Sequence, residues 1–188
     1  MRGVMRRAFS LLEVNLAILV MGGGIVSVAA LYSLGFREND QAREDVATSA
    51  FADRVLGPLA MALSDTNLTW KAFNSVQTLP DENGWGSYFK ESDSEQVVDN
   101  PTAIAQRVYA QVVRKISAAS GISAAWPAMP ETLGAAGLVV KHEPGSPIIH
   151  LALRASNMPR ALISAPLYYT AVAFQGRQAS EEDEEESK

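Results

Sequence analysis

The longest apolar stretch of the chain lies near its start. Val14 to Phe36, VNLAILVMGGGIVSVAALYSLGF, holds no charged residue, and about 23 residues rising roughly 1.5 Å each reach about 34 Å as a helix. That length crosses a hydrocarbon core of roughly 30 Å. Beyond Phe36 the pattern turns from continuous to periodic: Ala47, Phe51, Val55 and Leu59 step by four, with Val46 and Ala50 alongside. This spacing predicts that the helix continues past the apolar run and turns one face toward a domain. Gly57 and Pro58 are expected to kink or end it, because proline lacks an amide donor and crowds the preceding turn. A short helical turn should follow, to about Leu63.

From Ser64 to Asp99 polar and turn-forming residues dominate, which predicts a long loop with a short strand near Trp70 to Val76. Trp85, Tyr88 and Phe89 in that loop are either a binding patch or pins that hold it to the core, the commoner use of such aromatics. NPTAIAQRVYAQVVRKISAASG then carries a helix over 101–119. Asn100 can cap it, Pro101 suits its first position, Ile104, Val108, Val112 and Ile116 form one stripe, and Gly121 can end it. GLVVKH, PIIHLALR and PLYYTAVAF show strand patterns. The EPGSP turn between the first two predicts a hairpin, with Ile149, Leu151 and Leu153 facing the core. The expected fold class is α+β, with helices first and a small antiparallel sheet after.

Length and charge narrow the function. A chain of 188 residues has room for one anchor and one modest domain. Its net charge is −5, but SEEDEEESK at the C-terminus carries six carboxylates against one lysine, so the rest is close to neutral. No clustered basic surface is predicted, and therefore no nucleic-acid partner. The acidic end, 177–188, reads as a disordered, solvated tail, with cation or basic-partner binding as its alternative. There is no cysteine, so a domain outside the cytoplasm would rely on packing alone. His142 and His150 are the only histidines. The hairpin could bring them near each other, but no acidic partner is fixed by spacing, and no metal or other cofactor is expected. With no phosphate-binding glycine loop and no assignable catalytic triad, the expectation is a non-enzyme.

Arg2, Arg6 and Arg7 precede the apolar run, and a mixed set from Arg37 to Asp45 follows it. The positive-inside rule keeps Met1 in the cytoplasm and exports the bulk of the chain. Two ordinary segments fit: a secretory signal peptide with SVA or VAA at Ser27 to Ala30 as its cleavage site, and a retained transmembrane anchor. Neither gives Glu13, with Asn15 close by, a role: a charge at the centre of a membrane helix costs roughly 2.5–3.5 kcal/mol, and Glu13, near the cytoplasmic interface, could hydrate there at a smaller cost.

RRAFSLLEV resembles the leader and mature start of the type IV filament superfamily, the type IV pilins and the pseudopilins of type II secretion. The resemblance covers about the first fifty residues, and LLEV looks most like the openings of minor pilins and minor pseudopilins. It implies a leader over 1–8, cut by a prepilin peptidase between Ala8 and Phe9. Phe9 then becomes the methylated N-terminus and Glu13 the fifth mature residue. The family usually has glycine before the cut, and this chain has alanine, the next smallest side chain. The implied organisation is a transmembrane and assembly helix over 9–36, its amphipathic continuation over 37–63, an exported domain over 64–176 and the tail. The implied fold is a long helix packed on a small antiparallel sheet, with 101–119 as an extra helix. The implied partners are other pilin or pseudopilin subunits, the prepilin peptidase, an inner-membrane assembly platform and membrane lipid. The location is the bacterial inner membrane, then a filament used for adhesion, motility, DNA uptake or secretion.

The resemblance also gives Glu13 a role. A buried carboxylate is costly alone and tolerable when paired, so Glu13 would meet the Phe9 amine of a neighbouring subunit and fix its register. Gly22, Gly23 and Gly24 forfeit about 3 kcal/mol of helix propensity relative to alanine. They provide either local pliability or a patch for close helix packing. The alternative function is an uncleaved, single-pass, membrane-anchored binding domain that does not polymerise.

Overall fold

The long apolar run and the periodic run after it form one helix. α1 spans Leu11–Leu63, 53 residues, about 80 Å at 1.5 Å per residue. The computed structural model describes residues 10–81, 83–89, 100–120 and 125–176. The expected leader, the Ala8–Phe9 junction, Gly121 and the acidic tail lie outside these ranges. The chain divides into two compact units, Met1–Arg43 and Glu44–Lys188. In the first, every described residue is exposed, and the helix is long and apolar enough to cross a membrane. It runs unbroken through Gly22, Gly23 and Gly24.

In the second unit α1 buries Thr48, Phe51, Ala52, Val55, Leu56, Leu59, Ala62 and Leu63. The predicted stripe holds at Phe51, Val55 and Leu59, whereas Val46 and Ala50 face away from the core. The helix does not end at Gly57 and Pro58. An interior proline costs about 3 kcal/mol, but each fully buried leucine returns roughly 1.5–3 kcal/mol, and Leu59 and Leu63 beyond it are both at 0% exposure.

The strand expected near Trp70 to Val76 is instead a short helix, α2, Trp70–Asn74, capped by Thr69, whose Oγ1 accepts from the Ala72 amide. Trp70 and Phe73 are three residues apart, so a helical turn puts both on one side, where they stack and meet Phe174. α3 spans Pro101–Ser120. Asn100 caps it, its Oδ1 accepting from the Ala103 amide at 3.0 Å, and Ala105, Val108, Tyr109, Val112 and Ile116 are buried.

Three strands follow: β1, Ala135–His142; β2, Ile148–Ser156; and β3, Leu167–Ala173. They form one antiparallel sheet in the order β1-β2-β3. The β1–β2 turn places Gly145 at φ +81°, a conformation that favours glycine. Ile149, Leu151 and Leu153 are fully buried, in one core with α1, α2 and α3. The fold is therefore α+β, with a long N-terminal helix, a small antiparallel sheet and an extra helix.

Within the 64–99 segment, Thr78, Leu79 and Tyr88 close the outer edge of β1. Leu79 exchanges two backbone hydrogen bonds with Val140, both 2.8 Å. Thr78 Oγ1 accepts from the His142 amide and donates to its carbonyl. Tyr88 does the same for Leu138: its hydroxyl accepts from the amide at 3.0 Å and donates to the carbonyl at 2.7 Å. Thr102 completes the edge by accepting from the Ala136 amide. Trp85 lies over the sheet at Gly137, where a Cβ would come within 2.9 Å of its ring, and Phe89 packs against the core. The aromatics of this loop are pins.

Tyr88→Phe would leave the Leu138 amide and carbonyl buried without their partner, so stability should fall by about 2 kcal/mol. Denaturant unfolding of the full chain in detergent checks this, and an unchanged midpoint would refute the anchor. Burial pushes the Tyr88 hydroxyl well above the 10.0 of a free tyrosine, against a smaller opposing effect of its bond to Leu138. Burial raises Tyr109 as well, and raises Tyr168 with help from Asp45 and Asp53. Folded tyrosines then keep protons that unfolded ones release. Their contribution is complete below about pH 10 and shrinks as pH rises above it, and the decline should be shallower in Tyr88→Phe.

Candidate functional site

Glu13, the predicted assembly residue, sits in the first turn of α1 and bonds to Ser10. The Ser10 amide donates to Glu13 Oε2 at 3.0 Å, and the Glu13 amide approaches Ser10 Oγ at 3.4 Å. The Ser10 amide is thereby satisfied by the carboxylate, while the Glu13 amide is shared between Ser10 Oγ and the Ser10 carbonyl at 3.0 Å; the pair is a capping box. The carboxylate also lies at the positive end of the helix dipole. Ser10, Leu11, Leu12 and Glu13 spell S-x-x-E, the sequence signature of this motif, so the cap was readable from four residues. Sequence reasoning spent Glu13 on charge pairing and overlooked Ser10.

The box does not exhaust Glu13. An ionised carboxylate offers about four lone-pair positions, and among the described residues only Oε2 is engaged. Its other oxygen remains able to accept from a cation at the helix start. Asn15 is exposed, and nothing in the structure explains it.

Along the rest of the apolar run the helix offers grooves rather than a pocket. One is lined by Glu13, Val14, Ala17, Ile18 and Met21, another by Val28, Leu31, Tyr32, Gly35, Phe36 and Asn39. Each is a surface of one helix, open to whatever lies beside it. A Cβ added at Gly22, Gly23, Gly24 or Gly35 would meet nothing within 4 Å, so packing inside the chain does not require these glycines. Small residues on an otherwise apolar helix suit the approach of a second helix.

The two histidines do not converge. The hairpin register sets His142 opposite Ile149 and His150 opposite Lys141, which sends the imidazoles to opposite faces of the sheet. His142 is buried, with Nδ1 2.7 Å from the Val76 carbonyl and Nε2 2.9 Å from the Ser146 carbonyl. Both nitrogens are occupied by backbone acceptors, and the ring pins the hairpin to the segment after α2. His150 stacks on Tyr169 at 5.8 Å between ring centroids, with Nδ1 bonded to the Tyr169 hydroxyl. Among the described residues, no three metal-ligating side chains gather.

No family model, no curated protein and no solved structure matches this chain.

If the capping box holds the start of α1, Ser10→Ala should speed hydrogen exchange at the Glu13 amide by roughly fivefold, the usual size of a lost cap. NMR of the protein in micelles reads this directly. Equal rates in the two proteins would mean that the box does not form.

Proposed function

We propose that this protein is a structural subunit of a type IV pilus or of a type II secretion-like pseudopilus. The observation that carries this is RRAFSLLEV at the head of a charge-free helical run from Val14 to Phe36. A basic leader, a small residue, a phenylalanine and an offset glutamate stand there in the order that prepilin processing and assembly use.

Before processing, the apolar part of α1 lies in the inner membrane with Met1 in the cytoplasm. The prepilin peptidase hydrolyses the Ala8–Phe9 bond and frees the Phe9 amine, which is methylated and stays cationic. The helix then leaves lipid for a bundle of like helices at an inner-membrane assembly platform. Each Leu, Ile or Val that keeps an apolar environment in this exchange avoids a cost of roughly 1.5–3 kcal/mol for exposure to water. Apolar packing thus drives association but does not set register, because one apolar contact resembles the next. Glu13 sets it: a subunit displaced along the axis leaves its carboxylate unpaired in an apolar bundle, whereas the correct position brings the Phe9 amine of a neighbour to the free oxygen. The α+β domain then lies on the filament surface, or at its tip in a minor subunit, and the subunit performs no chemistry.

Mass spectrometry of the N-terminus, in cells with and without the leader peptidase, tests this. Phenylalanine should be the mature first residue only where the peptidase is present. An intact Met1 would indicate a retained anchor that does not polymerise, and a cut after Ala29 or Ala30 a secretory signal peptide. The two roles of Glu13 separate by substitution. Gln keeps the cap, since glutamine also closes a capping box, but loses the charge. Glu13→Ala and Glu13→Gln should both insert into the membrane, and both should lose incorporation into filaments. Normal incorporation of Glu13→Gln would reduce Glu13 to a cap.

A further inference from the structure

His142 is placed where a neutral ring cannot satisfy its surroundings. It is 4% exposed, and each ring nitrogen faces a backbone carbonyl oxygen, Nδ1 that of Val76 at 2.7 Å and Nε2 that of Ser146 at 2.9 Å. A carbonyl oxygen only accepts, and a neutral imidazole carries a single N–H. In that form one of the two contacts sets a ring lone pair against an oxygen lone pair. Only the imidazolium, with a proton on each nitrogen, donates to both. The neighbours hold the ring in this position. Phe73 meets it edge to face, at 5.5 Å between centroids and 80° between planes, and Thr78 Oγ1 bonds both the amide and the carbonyl of His142.

We propose that His142 is a proton-operated clamp on the β1–β2 turn. Protonated, it ties the turn to the segment after α2 through both carbonyls. Neutral, it keeps its Nδ1 proton on Val76 and releases Ser146. Burial sets this order. Val76 is 1% exposed, so its carbonyl would lose a hydrogen bond with no water to replace it, and an unsatisfied buried acceptor is the costlier loss. Ser146 is half-buried between the exposed Gly145 and Pro147, and its carbonyl can turn to water. The same turn is held by the Gly145 amide on Asn74 Oδ1 at 2.7 Å and by the Ser146 amide on the Glu143 carbonyl at 2.9 Å. Both bonds should loosen when Nε2 lets go.

None of the neighbouring charges bonds to the ring. On α2, Lys71 is exposed, and on α3 Lys115 Nζ donates to the Ser75 carbonyl at 2.6 Å. Lys141 and Glu143, on either side of His142 in the chain, are exposed and lie 3.9 Å from each other. On β2, His150 and Arg154 stand on the opposite face of the sheet, bonded to Tyr169 and to the Ile163 carbonyl. β3 adds two tyrosines, Tyr168 and Tyr169, and residues 75–79 hold no ionisable group. Imidazole is the side chain that ordinarily changes charge between about pH 5 and 8. The turn therefore answers to the acidity around the domain, whether or not the chain enters a filament.

NMR of the full chain in nanodiscs, with nitrogen-labelled histidine rings, tests this. His142 should carry protons on both ring nitrogens at about pH 5 and on Nδ1 alone at about pH 8. Over the same interval the protection factors of the Gly145 and Ser146 amides, which already allow for the pH dependence of free exchange, should fall roughly tenfold, the net worth of one hydrogen bond. Protection in the middle of the β1–β2 ladder should not change. The response should persist in His150→Gln and vanish in His142→Gln, whose amide donates and accepts alike at every pH. If His142→Gln does not fold, the ring protons and His150→Gln still decide. One ring proton at both pH values would overturn the proposal, as would two at both, loss from Nδ1 instead of Nε2, or a turn whose protection ignores the change. A response that disappears in His150→Gln would also overturn it, by giving the effect to the other histidine.

Discussion

Among the described residues, nothing packs against the twenty-odd apolar residues at the start of α1. From Leu11 to Phe36 the helix is exposed throughout, and water cannot be its working environment, because this much apolar surface costs tens of kcal/mol at roughly 25 cal/mol per Å². A lipid bilayer would relieve the cost, and so would the neighbouring helices of the filament proposed above; since both are apolar, passage between them would be a change of partner rather than an exposure. The second unit accordingly has to be stable by itself, with a core that owes nothing to the first turns of the helix.

That core is assembled around β1. α1 and α3 supply buried side chains beneath the sheet, while the 64–99 loop binds its edge with hydroxyls and one backbone pair. Tyr88 does both, since its ring is buried and its hydroxyl bonds twice to Leu138. The result is asymmetric. The covered edge has partners at Leu138, Val140 and His142, and the edge that no described segment reaches keeps its hydrogen-bonding capacity. A domain stable without disulfides can leave such an edge open only because the rest of its polar backbone is well satisfied.

Where sequence and structure differ, the cause is usually a contact distant in the chain. Pro58 reads as the end of a helix, but the buried Leu59 and Leu63 hold the next turn in place. Trp70 to Val76 looks like a strand because its residues are bulky, yet Thr69 caps it locally and Phe174, about a hundred residues later, rewards the helical spacing of Trp70 and Phe73. At the candidate site the omission was local: S-x-x-E was visible in the sequence, and its meaning depended only on recognising Ser10 as the first cap of α1.

By itself the sequence determined the helical character of the apolar run, the stripe and cap of α3, and the hairpin with Ile149, Leu151 and Leu153 inward. These follow from periodicity and neighbouring residues, which need no knowledge of the rest of the chain. Only the tertiary structure decided that His142 and His150 face apart, that Tyr88 serves Leu138 fifty residues away, and that β1 is covered while β3 is open. Each of those depends on which strands pair and what packs beside them. Hydrogen bonds between groups distant in the chain leave no local pattern to read.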